Sequence, residues 1–273
     1  MSFTRINANL AALASFNEIT RTNRQVAKHL LRLSSGLRIN TVGDDPAGFS
    51  LARSIESRKR GLEQALANVG TAKNVLKIAE GSYMAIADLL QIIKEKTVQA
   101  ADDAYNSEQK AAIQGQIDAL IEEIDDIVDE TEFQGTKLIN GSFTAAVFQT
   151  GASAGDVFNV SLAQADSLAL SINALEVSDA LAASAAIATV DAAINTLNET
   201  AQRVGEFMLR LDSKEETLAV AVTNIEATRS RIEDADFAKE QMDLIRAQII
   251  QQTGFAAFGQ ANAAPQLVLS LFT

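Results

Sequence analysis

The chain has no cysteine and no tryptophan, a single histidine (His29), two prolines, and aromatic residues at only 5% of its 273 positions. Without cysteine there is no thiol nucleophile, no disulfide framework and no thiolate zinc site. With one imidazole there is no His-rich metal centre, and His29 is the sole base any serine triad could draw on. It is read instead as a polar residue at a helix surface or interface. Positive charge is also scarce, with 23 Lys and Arg against 35 Asp and Glu for a net of −12. Phosphate recognition needs a concentrated cationic surface, so a nucleic-acid partner is excluded. No uninterrupted apolar run reaches the roughly 18 residues of a simple transmembrane helix. The opening Met1-Ser2-Phe3-Thr4-Arg5 has no charged region leading into an apolar core, so no cleavable secretory signal is read there. The expectation is a soluble, non-enzymatic protein without cofactor, metal or membrane insertion.

What is present is material for long helices: 47% of residues are hydrophobic, and Ala, Leu, Ile, Gln and Glu dominate. Charge is unevenly placed. Residues 1–33 hold Arg5, Arg21, Arg24, Lys28 and Arg32 against Glu18 alone, a net of +4 that leaves −16 elsewhere. At the other end, Ala247 to Thr273 contains no Lys, Arg, Asp or Glu. That tail is poorly solvated as a free surface helix, yet its glutamines, Asn262 and Pro265 make it too polar to cross a bilayer. Such a segment expects protein on several sides.

Alternate steps of three and four residues from Leu62 meet Ala65, Val69, Ala72, Leu76, Ala79, Tyr83, Ile86, Leu90 and Ile93, a heptad seam with no charged break. The same stepping from Ile187 gives Val190, Ile194, Leu197, Ala201, Val204, Met208, Leu211, Glu215, Leu218, Val222, Ile225, Arg229 and Ile232. Two such seams imply mutual packing. A shorter one, Ile113, Ile117, Leu120, Ile121, Ile124 and Val128, is flanked by Glu122, Glu123, Asp125, Asp126 and Asp129, read as a solvated face.

Punctuation sets the boundaries. Gly36 is placed for a left-handed helix cap; Asp45-Pro46 is placed as N-cap and first helical residue. That helix is predicted to end near Asp102, and Asn106 with Gln109 forms a capping box for the next. Between residues 133 and 177, turn signals at Asn140-Gly141 and Thr150–Gly155 separate the alternating runs Phe158/Val160/Leu162 and Leu168/Leu170/Ile172. These are read as a small β-hairpin region inserted between helices.

Five separated segments, in order, now resemble the bacterial flagellins. They are Ile6-Asn7-Ala8-Asn9; Leu33-Ser34-Ser35-Gly36-Leu37-Arg38-Ile39-Asn40 with Asp44-Asp45-Pro46-Ala47-Gly48; Phe133 to Gly141; Ser230-Arg231-Ile232-Glu233-Asp234-Ala235-Asp236-Phe237-Ala238; and Gln260 to Leu271. The resemblance is to the short form lacking outer variable domains. It implies a mainly α fold, a long antiparallel coiled-coil-like bundle with an inserted β-hairpin region and paired N- and C-terminal helices. Residues 1–42 with 236–273 would make a discontinuous inner core, and 43–235 a helical rod domain.

By that resemblance the chain self-polymerises into the flagellar filament, the extracellular propeller of swimming motility, with ordering of the ends coupled to docking. Assembly would rest on apolar residues of the terminal helices: Ile6, Leu10, Leu13, Leu30, Leu33, Ile245, Ile249, Leu267, Leu269 and Leu271. Gly36, Arg38, Asn40, Asp44, Asp45, Arg231, Glu233 and Asp234 would be linker and motif residues. The implied partners are copies of itself, an export chaperone of the type III route, and cap and hook-junction proteins. A hook–filament junction protein sharing the same terminal helices is the alternative.

Flagellins that activate the vertebrate toll-like receptor carry a segment resembling Gln-Arg-Val-Arg-Glu-Leu-Ala-Val. Here the aligned stretch runs Gln91 to Val98, keeping Glu95 but placing Ile92 for the first Arg and Lys96 for the Leu. Weak or absent activation is expected.

Overall fold

A computed structural model describes residues 9–270, with side chains through Ala263. Helices α1 (Leu10–Ser35), α2 (Pro46–Ala100) and α3 (Ser107–Glu130) are followed by strands β1 (Glu132–Phe133), β2 (Thr136–Lys137), β3 (Ala146–Gln149) and β4 (Val157–Val160). Helices α4 (Ala180–Glu233) and α5 (Phe237–Ser270) complete the chain. The chain packs as two units, one of residues 1–57 and 224–273, the other of residues 58–223.

In the second unit the seam expected on α2 is the core. Every member from Leu62 to Ile93 is buried, as are Ile113, Ile117, Ile124 and Val128 on α3. The seam on α4 is shifted by one residue along half its length. Val190, Leu197, Val204, Leu211 and Leu218 are buried as expected, but Ala186, Ala193 and Thr200 replace Ile187, Ile194 and Ala201. Small side chains occupy the buried line, and Ile187 and Ile194 take its half-buried flank. By length and composition α4 would suffice to cross a membrane, yet its Val190, Leu197 and Val204 line this interior.

Ionic rungs mark the antiparallel alignment. Lys73 bridges Asp212 at 2.6 Å and Glu215 at 2.7 Å, and Lys94 meets Asp191 at 2.6 Å. From Lys73 to Lys94 the chain advances as many residues as it retreats from Asp212 to Asp191, so the pairing carries no stutter between them. Tyr83, fully buried, donates its hydroxyl to the Ala163 carbonyl at 2.6 Å. Burial raises its phenolic pKa.

The capping box holds: Asn106 accepts from the Gln109 N–H and Gln109 reaches back to the Asn106 N–H. Strands β3 and β4 pair antiparallel from Ala146↔Val160 to Gln149↔Val157. Phe158 of that hairpin meets Phe207 edge-on at 5.9 Å and lies under the Arg210 guanidinium at 4.6 Å. A second, minimal hairpin joins β1 to β2 through Gln134 and Gly135, both at positive φ.

The alternation Leu168/Leu170/Ile172 does not form a strand. Its residues lie in consecutive turns with Leu170 and Ile172 buried, Leu168 exposed and Ser171 at positive φ. Asp166 accepts the Ala169 N–H, and Asp125 of α3 accepts both the N–H and hydroxyl of Ser167 at 2.8 and 2.7 Å. Local acceptors thus take the amides a strand partner would need: the Asp166 carboxylate that of Ala169, and the backbone carbonyls of Asp166, Leu168 and Ser167 those of Leu170, Ser171 and Ile172. Asp125 therefore docks a turn, while Glu122, Glu123, Asp126 and Asp129 face solvent.

Candidate assembly interface

The first unit is built from the two chain ends. Helix α1 starts at Asn9, whose side chain accepts the Ala12 N–H, and stops at Gly36, which takes the left-handed conformation at φ 72°. It lies antiparallel on α5: Asn9 donates to the Ala261 carbonyl at 2.8 Å, Phe16 faces Phe258 at 6.3 Å, and Asn23 accepts from Gln251 at 2.6 Å. Between these, Ile19 meets Gly254 so closely that a methyl there would sit 3.1 Å from Ile19 Cγ1.

At the end of the pair nearest Gly36, Glu240 is buried between two donors of α1. His29 Nδ1 is 2.5 Å from one carboxylate oxygen, and Arg32 donates to the other at 2.9 Å. Burial pushes the Glu240 carboxyl up, but its bonds to His29 and Arg32 outweigh this and the net shift is downward. Beside it, Lys28 bridges Asp44 at 2.7 Å. Asp44 also accepts from the Asn40 and Thr41 N–H groups and the Thr41 hydroxyl. The Lys28 ammonium foremost, with burial opposing and the Thr41 and Asn40 amides adding, holds its pKa at about 2.

The next helix begins as the punctuation implied. Asp45 accepts the Gly48 N–H at 3.0 Å, and a Cβ on Gly48 would lie 2.5 Å from Asp45 Oδ2 and 2.7 Å from Ile39 Cδ1.

Two motifs far apart in sequence meet here. Leu37 and Asp234 form an isolated antiparallel bridge, with the Ala235 N–H donating to the Gly36 carbonyl and the Arg38 N–H to the Glu233 carbonyl. The Arg38 guanidinium donates to the Ile232 carbonyl at 2.7 Å. Asn40 donates to the Leu37 carbonyl, Glu233 pairs with Arg229, Asp234 accepts from Ser230, and Arg231 is exposed. The backbone pairing of residues 36–38 with 233–235 had no signal in local composition. Neither did the His29–Glu240 contact, since periodicity does not say which helix faces which.

The outer surface of this pair carries large apolar side chains among its polar ones. Helix α1 buries only Ala12, Ile19 and Thr22, while Leu10 and Leu13 are 61% and 58% exposed and Leu30 stands half out. On α5, Phe237, Met242, Ile245, Ile249, Ile250 and Phe255 are exposed as well. Leu33 is partly covered. Ile6 and Leu271 lie outside the described residues, as do the side chains of Leu267 and Leu269. In the second unit Ile92 and Glu95 are exposed and Lys96 is half-buried on α2.

Both helices thus present large apolar side chains outward, leucines and Phe16 on α1, isoleucines, Met242 and phenylalanines on α5. Association between subunits would cover side chains of this kind. Comparison with known proteins gives the class of the protein. Residues 6–144 match the bacterial flagellin N-terminal helical region, and residues 187–272 match the bacterial flagellin C-terminal helical region.

The chain is 34% identical to flagellin FlaB2 of Treponema pallidum and to the flagellar filament 33 kDa core protein of Treponema phagedenis, over 97% of this chain and 99% of each relative. It is 35% identical to the flagellin of Bacillus subtilis over 98% of this chain and 99% of that one. Among solved structures, the crystal structure of Bacillus cereus flagellin matches with a TM-score of 0.51 at 22% identity, over 60% of this chain and 94% of that one. The structure of a putative flagellar hook-associated protein from Vibrio parahaemolyticus matches with a TM-score of 0.58 at 12% identity, over 70% of this chain and all of that one. Both share the fold. The chain belongs to the bacterial flagellin family, structural proteins of the flagellar filament and not enzymes.

Proposed function

We propose that copies of this chain polymerise through the α1–α5 pair, with the outward apolar residues of one subunit covered by the next. The observation that carries this is the exposure of Leu10, Leu13, Leu30, Ile245 and Ile249 on the two paired helices. The same role extends to Ile6, Leu33, Leu267, Leu269 and Leu271. Residues 1–42 with 236–273 make the inner layer of the filament, residues 43–235 the layer outside it, and residues 133–177 a hairpin region within that layer.

The filament lies outside the cell, and the chain reaches it by the flagellar type III route, held by an export chaperone and inserted under a cap. An uncharged stretch from Ala247 onward that needs a protein receiver supports the chaperone, and a chain without cysteine suits passage into an oxidising exterior. A junction protein would share the terminal helices, but the relatives matched along nearly the whole chain include filament core proteins. The departures at Ile92 and Lys96 support weak toll-like receptor activation; a reporter-cell response equal to that of a known agonist would overturn this.

Electron microscopy of the purified chain added to sheared filament seeds tests the central reading. Elongation is expected. Stalled single-layer additions at one seed end would identify a junction protein instead. A chain truncated before Gln260 is expected to add to no seed, and its elongation would remove the role given to α5.

A further inference from the structure

We infer that His29, Arg32 and Glu240 form a register lock, a buried ionic clasp that selects the axial alignment of α1 against α5. This rests on the assembly reading above, because alignment decides which outward residues each subunit presents to its neighbours.

The apolar contacts between the helices discriminate weakly. Among the described side chains, the buried hydrophobic residues are Ala12 and Ile19 on α1 against Leu244 and Ala247 on α5, and the Phe16–Phe258 contact at 6.3 Å is open to water on the Phe16 side. One heptad to either side of Gly254 stand Ala247 and Ala261, so Ile19 meets a small side chain after a slide of seven residues in either direction. Asn9 donates to a backbone carbonyl, and every residue supplies one. The Asn23–Gln251 bond is exposed, so a slide that breaks it leaves both amides to water.

The clasp is buried, and it works beside the backbone bridge of residues 36–38 with 233–235 at the same end of the pair, which carries no side-chain selectivity of its own. Glu240 is 7% exposed and satisfies two donors of α1 at 2.5 and 2.9 Å. A slide by one heptad brings Ala247 to the clasp, and from there to Thr273 no acid exists. The opposite slide brings position 233, which belongs to α4 and whose Glu233 is paired with Arg229. Asp243, one turn from Glu240, is paired with Arg246. The first slide leaves the Arg32 guanidinium and the imidazole facing Ala247, which cannot accept, and the second meets a carboxylate already engaged by Arg229, so each loses the paired burial of the native alignment.

Lys28 offers no relief, since it is held by Asp44, which also lies 4.0 Å from Arg32. The clasp is not tuned for strength alone: Arg32 Nε is buried without a partner. A polar group that costs stability yet fixes alignment is a known use of buried polarity in helix pairs.

The test uses filaments of the full chain, in which introduced cysteines are the only thiols. Gln251→Cys with Asn23→Cys reports the native alignment; Gln251→Cys with Leu30→Cys or Phe16→Cys reports slides of one heptad. Disulfides closed within one subunit are read by mass. In the native background only the 23–251 bond is expected. With His29→Leu, Arg32→Leu and Glu240→Leu together, filaments are expected to persist while the slid bonds rise at least about tenfold relative to 23–251, since no buried polar group is then left unpaired by a slide.

Filaments of that variant closing only the 23–251 bond would overturn the lock. Should the triple variant not polymerise, Glu240→Gln decides in its place: slid bonds support the lock and an unchanged pattern overturns it. If the native chain itself fails to elongate seeds, the assembly reading falls and the lock with it.

Discussion

Phe255 gives the sharpest measure of whether the outward face of α5 is an interface. Its ring is 53% exposed, and a phenylalanine offers about 200 Å² to bury, so about 100 Å² remains open in the subunit. Covering that area at about 25 cal/mol per Å² contributes about 2.5 kcal/mol to each docking event. Since about 1.4 kcal/mol is tenfold in an equilibrium constant, Phe255→Ser is expected to raise the critical concentration for polymerisation by about 60-fold. Serine and phenylalanine have similar helix propensity, so α5 itself is spared. The assay is sedimentation of seeded polymer across a dilution series, with circular dichroism of the unpolymerised chain as control. A critical concentration within about twofold of the native chain, with helix content unchanged, would refute the assignment of this face.

Three further substitutions probe the interior and the linker. Tyr83→Phe leaves the Ala163 carbonyl without its donor and is expected to cost about 1–3 kcal/mol of unfolding free energy, against about 3–5 kcal/mol for Tyr83→Ala, both by denaturant titration. Gly48→Ala places a methyl against Asp45 and Ile39; it is expected to lower stability by about 1–3 kcal/mol, and a midpoint at or above the native value would show that the loop yields freely. Asp44, held at about 2 against an ordinary 3.8, should make docking of the 40–45 loop pH-dependent. A depressed carboxylate stabilises fully above its unfolded value and loses that contribution as pH falls through the folded one. Amide exchange across residues 38–46, corrected for intrinsic rates, should be flat down to about pH 4 and lose protection toward about pH 2. In Asp44→Asn that acid step should be missing.

The helices and their ends were legible in the sequence because their causes are local. Gly36 can adopt positive φ cheaply, Pro46 fits only a first turn, Asn106 and Gln109 satisfy each other's amides, and the run from Leu62 to Ile93 repeats on one face. Family membership was legible as well, since the motifs that carry it are contiguous. The one-residue shift on α4 was not, because stepping by hydrophobicity favours Ile187 and Ile194, whereas the folded chain buries Ala186 and Ala193. Nor was the fate of Leu168 to Ile172, where Asp125 from a distant helix claims the Ser167 amide.

Composition and periodicity determined by themselves that this chain is helical, lacks thiol chemistry and carries an uncharged end that seeks protein contact. Only the tertiary structure decided that Glu240 sits between His29 and Arg32, that residues 36–38 bridge to 233–235, and which leucines of α1 face outward. Such pairings depend on which surfaces meet across some two hundred residues of intervening chain, and a local pattern constrains the face a helix can bury but not the partner that buries it.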